Sequence, residues 1–365
     1  MSKLSNKKIL FVVSQLKVGG AAKMIKYVAN LCARHLGNVT LATYYDDYTP
    51  DDVDSSIKRI NLNVEAGKLP LWRITALRRL RKEIKKENYD IVCSFLPDVS
   101  AMSRLATIGS KTIVVSAERG DPYQFSAFWK RLISWTYKKS DYCVFQLDKA
   151  RDFFGEEVLK HSFVIPNPYV PVSNVEPYTG VRKKTIVSAG RFAPQKRFDV
   201  LIEAFAKVHK QHPDYRLVLY GEGDSLAEYK GLSKQLGIED SIEFPGYVRS
   251  VPSAVREDGV FVLSSDYEGI PNSLIEAMSV GLPVVATDCT PGGPAFLTNN
   301  GERGLLVPVH DVEEMAHAIM RLIEDVKLSR TLSNRASEIV KLLDINVINN
   351  MWMEAFTKMI EKKNG

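Results

Sequence analysis

Glu268 and Glu276 flank the stretch Gly269-Ile270-Pro271-Asn272-Ser273-Leu274-Ile275. The first carboxylate precedes a Gly and a Pro, which mark a loop. The second falls among Leu274, Ile275, Ala277 and Met278, an apolar pattern of helical character. A carboxylate borne on a helix is rigidly placed and accepts hydrogens from paired hydroxyls such as those of a ribose. The start of the same helix, with Asn272 and Ser273, offers unpaired backbone N–H groups to an anion. A solvated Glu268, with a Glu276 that serves only the helix dipole, is the alternative these residues leave open.

Upstream, in the stretch SAGRFAPQKRF, a strand ends at Gly190 and two cations follow, Arg191 and Lys196, in a Pro-containing loop ahead of a helix near Phe198. Cations at the carboxyl end of a strand can meet a diphosphate, Arg bidentately and Lys as a point charge. Two solvated surface charges are the competing account. Gly19 and Gly20 follow the first strand and open a helix, so the backbone there can approach an anionic ligand closely. This is neither a dinucleotide fingerprint nor a P-loop, and a plain strand-to-helix turn explains it as well. A further loop, Pro291-Gly-Gly-Pro294, follows Asp288 and carries no titratable chemistry beyond that Asp.

The elements that position these loops follow a repeated plan. KILFVVSQL, VTLATYY, YDIVCSFL, KTIVVSAE and DYCVFQL are strand-like runs in the first half, separated by helical stretches at 21–36, 71–88 and 126–138. KTIVSAGR, YRLVLYG, SIEFPGY, GVFVLSS and PVVATD repeat the scheme in the second half. Strands that are apolar throughout, alternating with helices, indicate parallel sheets covered on both faces. The expected architecture is α/β: two Rossmann-like doubly wound domains, 1–168 and 169–345, facing across a cleft, joined through a proline-bearing linker. The last segment, 346–365, is amphipathic and is expected to pack back toward the first domain.

Composition narrows the class. The chain is 45% hydrophobic and 25% charged, and no apolar run approaches the length of a membrane span. The basic, then apolar, N-terminus reads as a first strand and not as a signal peptide. Cys32, Cys93, Cys143 and Cys289 lack paired spacing, so buried, reduced thiols in a cytoplasmic protein are expected. Net charge is +6, distributed as +10 over residues 1–170 and −4 over 171–365. That asymmetry suggests an anionic partner. The segment 71–86 carries seven Lys or Arg against one Glu, with Leu71, Ile74, Leu77, Leu80 and Ile84 at helical spacing. It is expected to cover the sheet with its apolar face; its basic face either stays solvated, as on most such helices, or, the reading the charge asymmetry favours, rests on an anionic membrane surface.

The stretch 185–325 resembles the donor-binding domain of the family 4 retaining glycosyltransferases, which have the GT-B architecture. AGRFAPQKRFDVLIEAF, LVLYGEGD, FPGYV, VFVLSSDYEGIPNSLIEAM, GLPVVATD and GLLVPVHD occur in the family's order and spacing. The first half is similar in its Gly-Gly-Ala loop and general layout, and some polysaccharide-assembly members share its Glu118-Arg119 pattern. The resemblance implies a nucleotide-sugar donor, UDP-linked, and a glycan or lipid-linked acceptor. Arg191 and Lys196 then neutralise the leaving diphosphate, Glu268 contacts the donor sugar and Glu276 binds the ribose. Gly269, Ile270, Pro271, Asn272 and Ser273 hold sugar and phosphates. Gly221, Gly223, Tyr247 and Val248 flank the base, and Gly19 and Gly20 face the diphosphate. Many relatives carry a His near the donor sugar; here Glu118 and Arg119 stand in that loop, as a sugar or acceptor contact or as a structural ion pair.

No cofactor is expected. The Arg191 and Lys196 pair can offset diphosphate charge, so a divalent metal is not required. Asp52-Val53-Asp54 is the one metal-type pair, in the half less suited to the donor. No nucleic-acid partner is expected. A sugar-nucleotide 2-epimerase shares the architecture, and a non-catalytic partner subunit is the other alternative. Peripheral attachment to the inner face of the cell membrane is the expected location.

Overall fold

The computed structural model describes residues 6–16, 20–44, 52–64, 71–171 and 175–364. Two compact units result: Met1–Asn167 together with Asn346–Gly365, and Pro168–Ile345.

The first unit holds a seven-stranded parallel sheet. Its strands are β1 (Ile9–Val13), β2 (Val39–Thr43), β3 (Lys58–Asn61), β4 (Ile91–Phe95), β5 (Ile113–Ala117), β6 (Tyr142–Phe145) and β7 (Ser162–Val164), in the order β3-β2-β1-β4-β5-β6-β7. Every residue of β1, β2, β4 and β5 is buried, which is why these runs show no polar alternation. The sheet ends on β3, whose Lys58 and Arg59 are exposed, a charged edge that discourages pairing with another chain. Neither β3 nor the three-residue β7 carries an apolar run, so both escape a reading by pattern.

Helices α1 (Gly20–Leu36), α2 (Leu71–Glu87), α3 (Pro97–Ala106) and α4 (Ala127–Lys139) cover this sheet. In α1, Met24, Ile25, Val28, Leu31 and Cys32 form the inward stripe. In α2 the buried residues are Ala76, Leu80 and Ile84, one turn apart. Ile74, expected on the inner face, is 47% exposed, because two residues along a helix turn the side chain away from the stripe that Ala76 begins. Arg79 is also not a free surface charge. It donates to the carbonyls of Leu62, at 2.6 Å, and Asn63, tying α2 to the chain that leaves β3.

The second unit holds six parallel strands: β8 (Thr185–Ala189), β9 (Arg216–Tyr220), β10 (Ile242–Gly246), β11 (Val260–Leu263), β12 (Val284–Thr287) and β13 (Leu305–Val307), in the order β10-β9-β8-β11-β12-β13. Helix α5 (Phe198–Gln211) packs Phe198, Leu201, Ile202, Phe205 and Val208 into its core. Helices α6 (Asn272–Ser279) and α7 (Gly293–Thr298) follow β11 and β12.

Helix α8 (Ile345–Asn364) belongs, from Asn346 on, to the first unit. Ile348, Trp352, Phe356 and Met359, at helical spacing, are buried in one core with Phe11 and Phe95. Trp352 stacks on Phe95 at 6.3 Å between centroids, and Phe356 meets Phe11 edge-on at 6.3 Å.

Each sheet reverses its strand order once, between β1 and β4 and between β8 and β11. The carboxyl ends of the strands at such a reversal leave a crevice for ligands. The loops after β8 and β11 therefore decide what the second unit binds.

Candidate active site at the strand-order reversal of the second unit

The loop after β8 brings Arg191 and Lys196; the segment after β11 brings Glu268 and Glu276. These are the two loops that border the β8/β11 reversal, and Lys196 and Glu268 meet there. Lys196 Nζ lies 2.5 Å from Glu268 Oε1, with the side chains 16% and 11% exposed. Ser265 Oγ donates to the same carboxylate oxygen at 2.9 Å. Arg191 is exposed and makes no ion pair among the described residues. The site thus holds one cation already matched to a carboxylate and a second turned to solvent.

The turn that carries Lys196 is bolted to the segment beyond β11. Asp266 N donates to Gln195 O at 2.9 Å, Gln195 Nε2 to Tyr267 O at 2.6 Å, and Ser264 Oγ to Lys196 O at 2.8 Å. Arg197, in the left-handed region at φ 48°, ends the turn and starts α5; its guanidinium is held by Asp199 and by His310 Nδ1 at 2.6 Å. Gly190 has a steric reason: a Cβ there would meet Lys196 Cε at 3.2 Å.

Gly221 and Gly223 lie beside this loop. At φ +148° and +151° they bring their backbones so close that a Cβ would fall 1.8 Å from Gly190 O and 2.3 Å from Phe192 O. Gly190 N and Phe192 N in turn donate to Tyr220 O and Glu222 O. Tyr247, 69% exposed, and half-buried Val248 follow β10, whose Gly246 O accepts from Gly221 N at 2.9 Å. The loops after β8, β9 and β10 are therefore contiguous.

Helix α6 begins at Asn272 with Pro271 as its cap residue, whose side chain makes no capping bond. Ile270, Pro271, Leu274 and Ile275 are buried and fix the entry, while Asn272, Ser273 and Glu276 are half-buried. Glu276 stands on the second turn, about 6 Å along the axis from Asn272. The loop 267–269 leans on the Pro-Gly-Gly-Pro segment. Glu268 N donates to Thr290 O at 2.9 Å, and a Cβ on Gly293 would fall 1.5 Å from Gly269 O. Ser265, Gln195 and Gly293 are the support that a search for charged residues passes over. The two serines that follow strand β11 and the paired glycines are the signals that could have found it.

Burial, followed by the neighbouring Glu268 carboxylate, pushes the Cys289 thiol up to about 12, so it stays neutral and is no nucleophile. All four cysteines are buried and unpaired.

In the first unit, Gly20 is exposed at the start of α1, while Gly19 lies outside the described residues. Glu118 and Arg119 follow β5 but form no ion pair with each other. Glu118, 1% exposed, accepts from the backbone N–H groups of Arg119 (3.0 Å) and Gly120 (2.8 Å) and from Tyr137 Oη (3.1 Å). Burial raises its carboxyl to about 7 despite those bonds. Arg119, 8% exposed, lies over the rings of Phe95 (5.4 Å) and Trp352 (5.2 Å) and donates to Ile165 O at 3.0 Å. Glu118 closes its own loop, and Arg119 joins α8 to the sheet. Asp52 pairs with Lys26 at 2.7 Å and Asp54 caps a turn at Ser56, so neither presents an open pair of carboxylates. Among the described residues no group of acids, His or Cys is arranged for a metal.

Two doubly wound parallel domains, each with its strand order reversed once, have the GT-B architecture. The Glycosyltransferase Family 4 model matches residues 18–170 and the Glycosyl transferases group 1 model matches 178–339. The chain belongs to the family 4 glycosyltransferases. An exopolysaccharide phosphotransferase of Streptomyces coelicolor is 30% identical over 302 residues, 80% of this chain; the chain spans 32% of the length of that relative. An α-1,4-N-acetyl-D-galactosaminyltransferase of Campylobacter jejuni, named for its PP-undecaprenol-linked acceptor, is 24% identical over 96% of this chain and 99% of its own. Anabaena HepE, solved in complex with UDP and glucose, superposes with a TM-score of 0.81 over 96% of this chain and 100% of its own, at 19% identity.

Proposed function

We propose that the chain transfers a hexose or N-acetylhexosamine from a UDP-sugar to a lipid-linked or polysaccharide-precursor acceptor, with retention of the donor's anomeric configuration. One observation carries the reading: Lys196 and Glu268 form a nearly buried pair beside the exposed Arg191, at the reversal where α6 presents its N-terminus and Glu276. In this reading Arg191 and Lys196 stabilise negative charge on the departing diphosphate, so no divalent metal is needed. The incoming diphosphate competes with Glu268 for Lys196 and frees the carboxylate to orient the sugar. Glu276 takes the ribose hydroxyls. The loops after β9 and β10 flank the base. Retention follows from attack on the face the leaving phosphate vacates, with a phosphate oxygen taking the acceptor's proton.

The names of the Campylobacter and Anabaena proteins support a lipid-linked acceptor and a UDP donor. No helix among the described residues is long and apolar enough to cross a membrane. Attachment to the inner membrane face is then peripheral, through the basic face of α2. The test is NMR of the first-formed product from a panel of UDP-sugars, in chelator. Product with the donor's configuration is expected; an inverted product, or activity restored only by Mg²⁺ or Mn²⁺, overturns the reading.

A further inference from the structure

Three loops of the second unit meet beside the Lys196–Glu268 pair. Arg197 follows β8, Asp266 follows β11, and His310 stands three residues beyond β13. The Arg197 guanidinium takes both carboxylate oxygens of Asp199, through Nε at 3.0 and 3.1 Å and Nη2 at 2.8 Å. Its remaining nitrogen, Nη1, lies 2.6 Å from His310 Nδ1 and 3.6 Å from Asp266 Oδ1. His310 Nε2 lies 3.3 Å from the same Asp266 oxygen, which is buried and is reached by no other donor among the described residues.

An arginine can only donate. His310 therefore accepts through Nδ1 and carries its proton on Nε2, facing Asp266. At 3.6 Å Arg197 and Asp266 are past hydrogen-bond reach of each other, so the imidazole is the bridge between them. The cluster flanks the charged pair on both sides, since Arg197 adjoins Lys196 and Asp266 stands two residues before Glu268.

The backbone bonds of Gln195 and Lys196 tie the loops after β8 and β11 together; His310 ties both to a third, two strands away from β11. That third loop is firmly based. His310 is left-handed at φ 62°, and Asp311 beside it caps the helix Val312–Glu324 by accepting from Glu314 N at 2.9 Å. Met315, Ile319 and Leu322 of that helix share a buried core with Leu201 and Phe205 of α5. Arg197 and Asp266 are half-buried and His310 is exposed, and ionic contacts of that kind add little to global stability. What the cluster supplies is position. Arg197, engaged on Asp199 and His310, is not a third cation for a diphosphate.

We propose that Arg197, His310 and Asp266 form a clasp that positions Lys196 against Glu268 to receive a diphosphate, with the His310 imidazole as its bridge. His310 is thus a positioning residue, acting through Lys196. The clasp rests on the reading that this crevice takes a UDP-sugar, and adds to it what aims the lysine.

UDP is the probe, and its binding to the full chain is measured by calorimetry. His310→Gly removes the imidazole and keeps the left-handed backbone without strain. It should weaken UDP binding by about tenfold, with Tm little changed. In a Lys196→Ala background the same change should have almost no further effect, because the side chain that the clasp aims is gone. His310→Asn tolerates the left-handed backbone and offers Oδ1 to Arg197, so it should recover most of the loss. Should His310→Gly lower Tm, Arg197→Gly, also at a left-handed position, takes its place in both backgrounds. Equal losses in the two backgrounds, or a His310→Gly variant that binds UDP as the parent does or more tightly, overturn the clasp and leave the donor reading standing. His310→Asn as weak as His310→Gly overturns the imidazole bridge. A parent that does not bind UDP overturns the donor reading and the clasp with it.

Discussion

Replacing Glu118 by Gln should stabilise the first unit at pH 8 and do little at pH 5. Glu118 is 1% exposed, and its burial raises the carboxyl to about 7 from an ordinary 4.5. Between those two values the folded state binds a proton that the unfolded chain does not, so stability falls as pH rises from about 4.5 to about 7 and is level above. A carboxyl moved that far costs about 3 kcal/mol once fully ionised. Gln keeps an oxygen for the two N–H groups of Arg119 and Gly120 and carries no charge. Its amide must donate to Tyr137, which loses its acceptor in Glu118, and that rearrangement offsets part of the gain. A net gain of about 1–3 kcal/mol at pH 8 is expected, shrinking below about 1 kcal/mol at pH 5. The assay is urea unfolding followed by tryptophan fluorescence. All four tryptophans, at 72, 129, 135 and 352, lie in the first unit, so the signal reports that unit. A variant that loses stability equally at both pH values would refute the burial argument.

Arg191→Ala should lower kcat by an amount corresponding to about 2–4 kcal/mol, because leaving-group charge develops in the transition state; Glu276→Ala should chiefly weaken UDP binding, read by calorimetry. Gly293→Ala places a Cβ 1.5 Å from Gly269 O, so the loop carrying Glu268 must shift; kcat should drop more than tenfold, by roughly 1.4 kcal/mol or more, while steady-state assays with varied donor show a smaller change in KM. Trp352→Ala removes a fully buried ring that packs on Phe95 and Phe356 and should destabilise the first unit by about 3–5 kcal/mol, measured by denaturant unfolding followed by circular dichroism.

The strands that build both cores were legible because they are buried on both faces and so read as unbroken apolar runs. That Arg191 and Lys196 follow one strand and Glu268 another was legible as well, but that β8 and β11 lie side by side was not, since sheet order is set by long-range pairing. What local pattern does not carry is long-range contact. The Gly221 and Gly223 backbones are pressed against the loop after β8, and Gly293 against Gly269, through pairings that no local spacing encodes. Ile74 reads as core because its spacing fits a stripe, yet the stripe that meets the sheet begins at Ala76. Arg79 reads as one basic residue among seven until the carbonyls of Leu62 and Asn63 appear beside it. For Glu118 and Arg119 the sequence left a substrate contact and a structural ion pair both open; they make no ion pair with each other, and their surroundings come from Tyr137, Phe95 and Trp352, far apart in the chain.

Because α8 supplies Ile348, Trp352, Phe356 and Met359 to the core around Phe11 and Phe95, the first unit is discontinuous in the chain. During synthesis its sheet emerges before those side chains exist, so Phe11 of β1 and Phe95 of β4 wait uncovered while the whole second unit is made. The second unit, continuous from Pro168 to Ile345, can close its own core earlier. The part of the protein translated first is therefore the part completed last. A nascent chain stalled before Trp352 leaves the ribosome should present an open hydrophobic surface to chaperones, although both of its sheets have already been translated.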